Sequence, residues 1–149
     1  MPTLIDIDRH SGLLQRSARD PAEVSLAALD EWQENTGQGL LLSVDAEPES
    51  RFCVAPLIAI EFPIFHDGRG LSLAVLLRTR IGFSGELRAV GDVHPELLHY
   101  LSRCGFDSCV LPEGRSLAQD EVPFRPHEDY YQASVVEALP AFRREMRGR

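Results

Sequence analysis

The stretch "APLIAIEFPIFHDGRGLSLAVLLRTRIG", residues 55–82, predicts a strand, a short loop and a helix in succession. The apolar run "APLIAIEF" is flanked by prolines, which stop a helix, so we expect a buried strand there. After "GRG" the apolar side chains recur at the helical period, and Gly82 is suited to the left-handed conformation that ends many helices. A strand that passes through a short loop into a helix is the repeating unit of α/β proteins.

The same alternation continues on both sides of this stretch. The segments "GLLLSVD" (39–45), "GELRAVGDV" (85–93) and "FDSCVL" (106–111) predict further strands. "HPELLHYLSRCG" (94–105) predicts a helix with a proline near its start and a glycine at its end. The sequence therefore predicts an α/β fold with a small, mainly parallel sheet of about four to five strands and right-handed βα units, either flavodoxin-like or a partial βα-barrel.

An additional helix is predicted before the first of these strands. Residues 20–37 offer Asp20 as N-cap, Pro21 at the first helical position, Glu23 three residues after the cap and Gly37 beyond the end. Apolar residues within this segment recur near the helical period. We expect a helix that docks on the body of the domain.

Composition indicates one globular domain. The chain has 149 residues, of which 44% are hydrophobic and 26% are charged. We expect one domain over residues 1–149 with its core at about 20–132. The formal net charge of −8 disfavours nucleic-acid binding, which needs lysines and arginines to neutralise phosphates, but it suits a basic protein partner.

The sequence also indicates a compartment. It has no apolar run long enough to span a membrane, and its start lacks the pattern of a secretory signal. The odd number of cysteines, Cys53, Cys104 and Cys109, makes no disulfide framework and has neither redox nor zinc spacing. We expect a cytoplasmic protein, and we expect the two thiols of "CGFDSC", Cys104 and Cys109, to be buried or partly buried and structural.

The fold prediction locates a candidate site, because ligands gather at the carboxyl ends of parallel strands. The segments expected there follow each predicted strand: Asp45, residues 61–69, residues 91–92 and residues 113–115. From them we select five candidate binding residues, which are Glu61, Asp67, Arg69, Asp92 and Glu113.

Two interpretations of "DGRG" stay open. Arg69 offers a planar fork of donors to a carboxylate, sulfate or phosphate, and the flanking glycines would let a backbone approach an anion at a helix start. In the structural interpretation Asp67 caps the helix and Arg69 pairs with Glu61 or Asp92 to tie neighbouring loops together. One basic residue among several acids makes a poor pocket for a dianion.

Metal and cofactor sites are not predicted. Glu61, Asp67 and Asp92 could form a carboxylate cluster for magnesium or for acid/base chemistry, yet each also serves as a cap or salt-bridge partner. The sequence carries no chelating histidine pair, nucleotide-binding glycine fingerprint or cluster-binding cysteine set. Tyr130 and Tyr131 are interface candidates, with packing of the tail against the sheet as the equal alternative.

Three of these motifs together resemble a known family. "FPIFHDGRGLSLA", "GELRAVGDV" and "RCGFD" are similar to the FP-x-F-x-DGRG-x-S-x-A, GELRA-x-GDV and RCGFD motifs of the bacterial domain-of-unknown-function family nine-three-four (DUF934). The resemblance covers about residues 20–132. This chain has Leu71 where the family often has tyrosine, and Glu96 and Leu97 where members often have Asp-Gln.

The resemblance implies a role in sulfur metabolism, because members of the family are typically encoded beside assimilatory sulfite reductase genes. We expect an accessory protein of sulfate and sulfite reduction that contacts sulfite reductase or another sulfur-assimilation protein. The alternative is a small oxidoreductase-associated enzyme or anion-binding protein with its site at the carboxyl ends of the strands. A sheet of only four predicted strands also leaves a homodimer open.

Overall fold

The computed structural model describes residues 2–115 and 121–123 of the chain, and this part is an α/β domain. Its strands are β1 (Thr3–Ile7), β2 (Leu13–Arg16), β3 (Leu26–Ala28), β4 (Gly39–Ser43), β5 (Leu57–Phe62), β6 (Glu86–Gly91), β7 (Ser108–Leu111) and β8 (Glu121–Pro123). Its helices are α1 (Gly68–Thr79) and α2 (Leu98–Cys104), with short 3-10 helices at Ser50–Val54 and Pro95–Leu97.

All of these strands form one mixed sheet in the order β3-β4-β5-β6-β7-β1-β2-β8. The run from β3 to β7 is parallel, whereas β1, β2 and β8 extend it by antiparallel pairing. The predicted mainly parallel α/β architecture is confirmed, and the four predicted strands are β4 to β7. The predicted count of four to five strands is wrong, since the described part of the chain contains eight.

The parallel strands follow one another in chain order, so the sheet contains no reversal of strand order among β3 to β7. A flavodoxin-like arrangement, which has such a reversal, is therefore not confirmed. Successive right-handed crossovers that advance in one direction place their helices on one face of a sheet. Both helices indeed share a core with the same strand face, through Leu73, Leu77 and Leu101 on the helices and Ile58 and Ile60 on β5.

Phe62, the last residue of β5, joins α1, β6 and the core at one point. Its side chain is only 1% exposed, and its ring lies 6.1 Å from the ring of Phe106. A Cβ on Gly70 would lie 2.5 Å from the Phe62 ring, so the first turn of α1 rests directly on that ring. Gly91 has a φ of +88°, and a Cβ there would lie 2.5 Å from the Phe62 carbonyl oxygen. The Phe62 carbonyl also accepts the Asp92 N–H at 2.8 Å.

The connection from β2 to β3 has to cross the other face of the sheet. Five strands separate β2 from β3, and at about 4.8 Å per strand the two lie about 29 Å apart. Residues 17–25, here named the strap, make this connection. An extended chain spans at most about 3.5 Å per residue, so the strap is long enough only if it runs nearly straight.

Charged side chains hold the strap on this face. Arg19 donates to both carboxylate oxygens of Glu86 at 3.1 Å and to Asp6 at 2.6 Å. Arg88, only 3% exposed, donates to Glu86 at 3.1 Å, to the Ser108 hydroxyl at 3.3 Å and to the Pro21 carbonyl at 3.3 Å. Ser108 donates in turn to Glu86 at 2.7 Å. Each of the three nitrogens of the buried guanidinium group therefore has a hydrogen-bond partner on the sheet or the strap.

The helix predicted over residues 20–37 is wrong. Asp20 does accept the Ala22 N–H at 2.9 Å as an N-cap would, but the chain continues into turns and then into β3. A helix advances only about 1.5 Å per residue, so it would be too short to carry the strap across the sheet. Trp32 lies in the turns that follow β3, where its side chain is buried and donates its Nε1–H to the Gln38 carbonyl at 3.2 Å.

Two further features of the described residues bear on the expectations above. No helix in this part of the chain has the length and apolar character needed to cross a membrane. The sheet of the described residues has eight strands, whereas the homodimer was suggested for a sheet of only four.

The two glycines of "DGRG" should respond oppositely to alanine. Gly70→Ala forces a methyl group into the Phe62 ring, and such overpacking costs about 1–3 kcal/mol of unfolding free energy. Gly68→Ala meets no atom within 4 Å and lies in α1, where alanine is favoured over glycine by up to about 1 kcal/mol. Urea denaturation of the two variants measures the difference. Equal destabilisation would contradict the packing role of Gly70.

The hydrogen bonds of Glu86 beneath the strap should make the free energy of unfolding depend on pH. Burial alone would raise the pKa of Glu86, but hydrogen bonds from Arg19 and Ser108 and the charge of Arg88 outweigh it and lower the pKa from 4.5 to about 2. Because the folded-state pKa is depressed, this stabilisation is complete above about pH 4.5 and is lost as the pH falls towards 2.

We therefore expect Glu86→Gln to lower the unfolding free energy by about 3 kcal/mol at pH 7 and by progressively less below pH 4.5. Urea denaturation at a series of pH values measures this, with Glu96→Gln, an exposed carboxylate outside the strap contacts, as the control. A difference between wild type and Glu86→Gln that stays constant from pH 7 to pH 3 would rule out the ion-pair explanation.

Candidate functional site

The predicted site residues lie at the carboxyl end of the sheet, where β4 to β7 finish, but they form two local clusters. In the first, Asp67 is the N-cap of α1 and accepts the Arg69 backbone N–H at 3.1 Å. The Arg69 guanidinium returns to the same carboxylate, with Nε at 3.0 Å and Nη2 at 2.7 Å. Arg69 therefore pairs with its own helix cap, and the expected pairing with Glu61 or Asp92 is wrong.

This pairing fixes the charge of both groups. Hydrogen bonds from Arg69 lower the pKa of Asp67, and those same bonds raise the pKa of Arg69. The guanidinium is exposed to solvent, yet its planar fork of donors is already occupied by a carboxylate. An anion that approached Arg69 would have to compete with Asp67.

Asp92 organises the second cluster. It accepts the Phe65 N–H at 3.0 Å, His94 Nε2 lies 3.1 Å from it, and Arg115 donates to it at 2.7 Å. Arg115 also donates to the Val93 carbonyl at 3.1 Å, which joins the segment after β7 to the segment after β6. The hydrogen bond from Arg115 contributes most to lowering the pKa of Asp92, which is a carboxylate at neutral pH.

The loop over residues 63–66, "PIFH", is held in place by this second cluster. Besides the bond from its Phe65 N–H to Asp92, the loop is closed by the Asp67 N–H, which donates to the Ile64 carbonyl at 3.0 Å. The Phe65 ring packs on the His94 ring, with centroids 4.1 Å apart. The loop nevertheless leaves Ile64 49% exposed. A hydrophobic side chain is thus presented to solvent on a backbone that is fixed at several points.

A cavity of about 480 Å³ opens beside the first cluster, between the segment after β4 and the first turns of α1. Its apolar wall includes Leu73 and Leu76, and Ser72 adds a hydroxyl. Asp45, Glu47 and Arg69 supply its charged side chains. The Ser43 hydroxyl donates to Asp45 at 2.6 Å, and this bond lowers the pKa of the carboxyl.

The remaining predicted residues are Glu61, Glu113 and the two tyrosines of the tail. Glu61 is exposed on β5 beside Val90 of β6, on the face opposite the helices. Glu113 is exposed in the turn after β7. Tyr130 and Tyr131 lie outside the residues that the structure describes. The five candidates therefore share one end of the sheet without converging on one point.

Sequence reasoning named the segment that contains Arg115 but not its role with Asp92. It also missed the Arg19, Glu86 and Arg88 network beneath the strap. A signal for the network was present, because Glu86 and Arg88 are two residues apart in a strand and so share one face. Two opposite charges on the same face of a predicted internal strand indicate a buried ion pair.

All three cysteines and four of the five histidines lie among the described residues. Within residues 2–115 and 121–123, no group of three or more His, Cys, Asp or Glu side chains is arranged to hold a metal ion. Burial raises the pKa of Cys104 to about 11 and of Cys109 to about 12, so both thiols stay protonated. Cys53 is exposed, and its thiol contacts the Ile81 carbonyl at 3.2 Å.

Comparison with known proteins bears on the motifs gathered at this end of the sheet. A family model described as a bacterial protein of unknown function (DUF934) matches residues 40–142, which is more than half of the chain. The chain belongs to this family. No curated protein and no solved structure matches it.

Removing the Asp92 carboxylate should release the 63–66 loop. In Asp92→Ala the Phe65 N–H and Arg115 lose their shared partner, and a lost hydrogen bond of about 1–2 kcal/mol corresponds to about 5- to 30-fold faster opening. Amide hydrogen exchange at Phe65 measures this, with Glu31→Ala, which removes an exposed carboxylate outside this cluster, as the control. Unchanged exchange at Phe65 in Asp92→Ala would show that the loop is held by other contacts.

Proposed function

We propose that this DUF934 protein is a cytoplasmic accessory protein of assimilatory sulfate and sulfite reduction that binds another protein of that system through the carboxyl end of its sheet. The observation that carries the proposal is Ile64, exposed on the braced 63–66 loop. Its partner is sulfite reductase or another sulfur-assimilation protein. The pathway itself is what resemblance to the family implies, and the geometry supports the binding role.

The polar residues at this end favour a binding role over catalysis. Among the described residues at this end, Arg69 and Arg115 are engaged by Asp67 and Asp92. These acids in turn cap α1 and fix the loop, so each has a structural task. A catalytic acid or base needs a proton donor or acceptor that is free to face substrate. Here the groups instead hold a surface in a defined shape.

That shape suits a protein partner. Interfaces are commonly built around a few apolar anchors with a polar surround, and an anchor on a preorganised loop loses little conformational freedom on binding. Ile64 provides the anchor, and the exposed carboxylates of Asp45, Glu47 and Glu61 lie at the same end of the sheet. With a net charge of −8 for the whole chain, a basic partner surface is the complementary one.

Small-ligand binding is the second candidate, and the cavity beside Arg69 favours it. The arrangement of β3 to β7 in chain order supports a partial βα-barrel. In βα-barrels the ligand-binding site lies at the carboxyl ends of the strands. The pairing of Arg69 with Asp67 weighs against sulfite or sulfate as the ligand. A small anion retained through purification, or one that raises the melting temperature of wild type but not of Arg69→Ala, would favour this candidate.

The pathway is tested by growth of a deletion strain on sulfate, sulfite, sulfide or cysteine as sole sulfur source. Failure on sulfate and sulfite with rescue by sulfide is the expected result, because it places the protein at sulfite reduction. Equal growth on all four sources would contradict the pathway assignment.

The binding surface is tested by a matched pair of variants. Ile64 and Val54 are aliphatic and similarly exposed, at 49% and 47%, but Val54 ends the 3-10 helix that precedes β5 and so lies towards the opposite end of the sheet. We expect Ile64→Asp to lose complementation and to weaken capture of the partner at least about tenfold, the loss of about 1.4 kcal/mol. Val54→Asp should behave as wild type. Equal effects of the two changes would contradict the assigned surface.

A further inference from the structure

The cavity between the segment after β4 and α1 has a composition that selects a particular ligand. Its volume of about 480 Å³ falls within the range of about 300–1,000 Å³ typical of ligand pockets. Apolar side chains such as Leu73 and Leu76 line one wall. The exposed carboxylates of Asp45 and Glu47 lie opposite, on the segment that follows β4. The cavity thus combines an apolar wall with two acids.

The charge of the cavity is negative. Among the described residues that line it, Arg69 is the one cation, and its fork of donors is bound by the Asp67 carboxylate through two hydrogen bonds. The pair of Arg69 and Asp67 therefore carries no net charge, although Arg69 still attracts Asp45. Asp45 is ionised at neutral pH, since its pKa is lowered by the Ser43 hydroxyl, and it adds a negative charge together with Glu47.

We propose that this cavity binds the side chain of a lysine or arginine supplied by the partner protein. Such side chains carry an alkyl stem that packs on apolar surface and a cationic end that seeks carboxylates. The stem would lie on the Leu73 and Leu76 wall, and the ammonium or guanidinium group would meet Asp45 and Glu47. This inference rests on the proposed binding function and names what the partner contributes.

The position of the cavity supports a partner side chain as the source. Asp67 closes the 63–66 loop through its backbone N–H and holds Arg69 of the cavity wall through its carboxylate. The exposed Ile64 and the cavity are therefore joined through one residue. A single surface of a basic partner can contact both.

Titration of the full-length, isotope-labelled protein with small probes tests the inference without reference to sulfur metabolism. The probes are N-acetyl-lysine methylamide, N-acetyl-arginine methylamide and the uncharged N-acetyl-norleucine methylamide, followed by amide NMR shifts. We expect saturable shifts in residues 44–48 and 68–76 with the two cationic probes. We expect the affinity for the norleucine probe to be about fivefold weaker, as the upper range of an exposed ion pair predicts.

Charge variants supply the second arm. Asp45→Asn and Glu47→Gln should each weaken the affinity for the lysine probe by up to about fivefold. Glu96→Gln, which removes an exposed carboxylate outside the cavity lining, should change this affinity by less than about twofold. Circular dichroism and urea denaturation establish that the variants are folded. Absence of shifts in the cavity segments, equal binding of norleucine, or an equal effect of Glu96→Gln would each overturn the inference.

The source of the cation is decided by free 1,5-diaminopentane, a diamine with a lysine-like stem. Tighter binding of this diamine than of the lysine probe would assign the cavity to a free amine and overturn the partner assignment. The outcomes also separate this inference from the proposed function. Capture of the partner that depends on Ile64 but not on Asp45 or Glu47 would retain the function and remove the cavity from it.

Discussion

The packing of Phe62 against two glycines is the constraint on which the carboxyl end of the sheet depends. Gly70 brings the first turn of α1 onto the Phe62 ring, and Gly91 lets β6 pass close to the Phe62 backbone. Because α1 and β6 are both fixed against Phe62, the chain follows a defined path from the end of β5 into α1. The 63–66 loop, the Asp67 cap and the bond from Phe65 to Asp92 all follow from that path. Gly70 and Gly91, two glycines of the family motifs, thus have a packing explanation that requires no bound anion.

A second constraint acts on the opposite face. The antiparallel strands β1 and β2 lie beyond β7, yet the next strand in the chain, β3, lies at the far end of the parallel run. The strap must therefore cross the sheet, and an extended peptide without regular pairing needs side chains to hold it. Arg19, Glu86 and the buried Arg88 do so, which explains why a charged pair occupies a central strand. Their hydrogen bonds offset the cost of burying the charges.

The two ends of the parallel strands consequently differ in what their charges do. At the carboxyl end, acids cap α1, fix the 63–66 loop and line the cavity, while Ile64 is exposed among them. At the amino end, the buried side chain of Arg78 donates to Asp107 and to the carbonyls of Gly105, Phe83 and Gly85. Its hydrogen bonds therefore join the segment before β6 to the segment before β7. This difference in role, rather than any single residue, is the reason that we propose the carboxyl end as the surface for recognition.

The sequence by itself determined the parts that local rules govern. Strands β4 to β7 and helices α1 and α2 were predictable because short apolar runs, helical periodicity, caps and glycine stops act within a few residues of one another. The placement of Asp67, Arg69 and Asp92 at the carboxyl end followed from that alternation. Only the tertiary structure decided that residues 20–37 form no helix, since the distance from β2 to β3 overrides the cap and the periodicity. It also decided that Arg69 pairs with Asp67 and that Asp92 accepts a hydrogen bond from Arg115. Several charged residues could pair with each carboxylate, and only their positions in space select the partner.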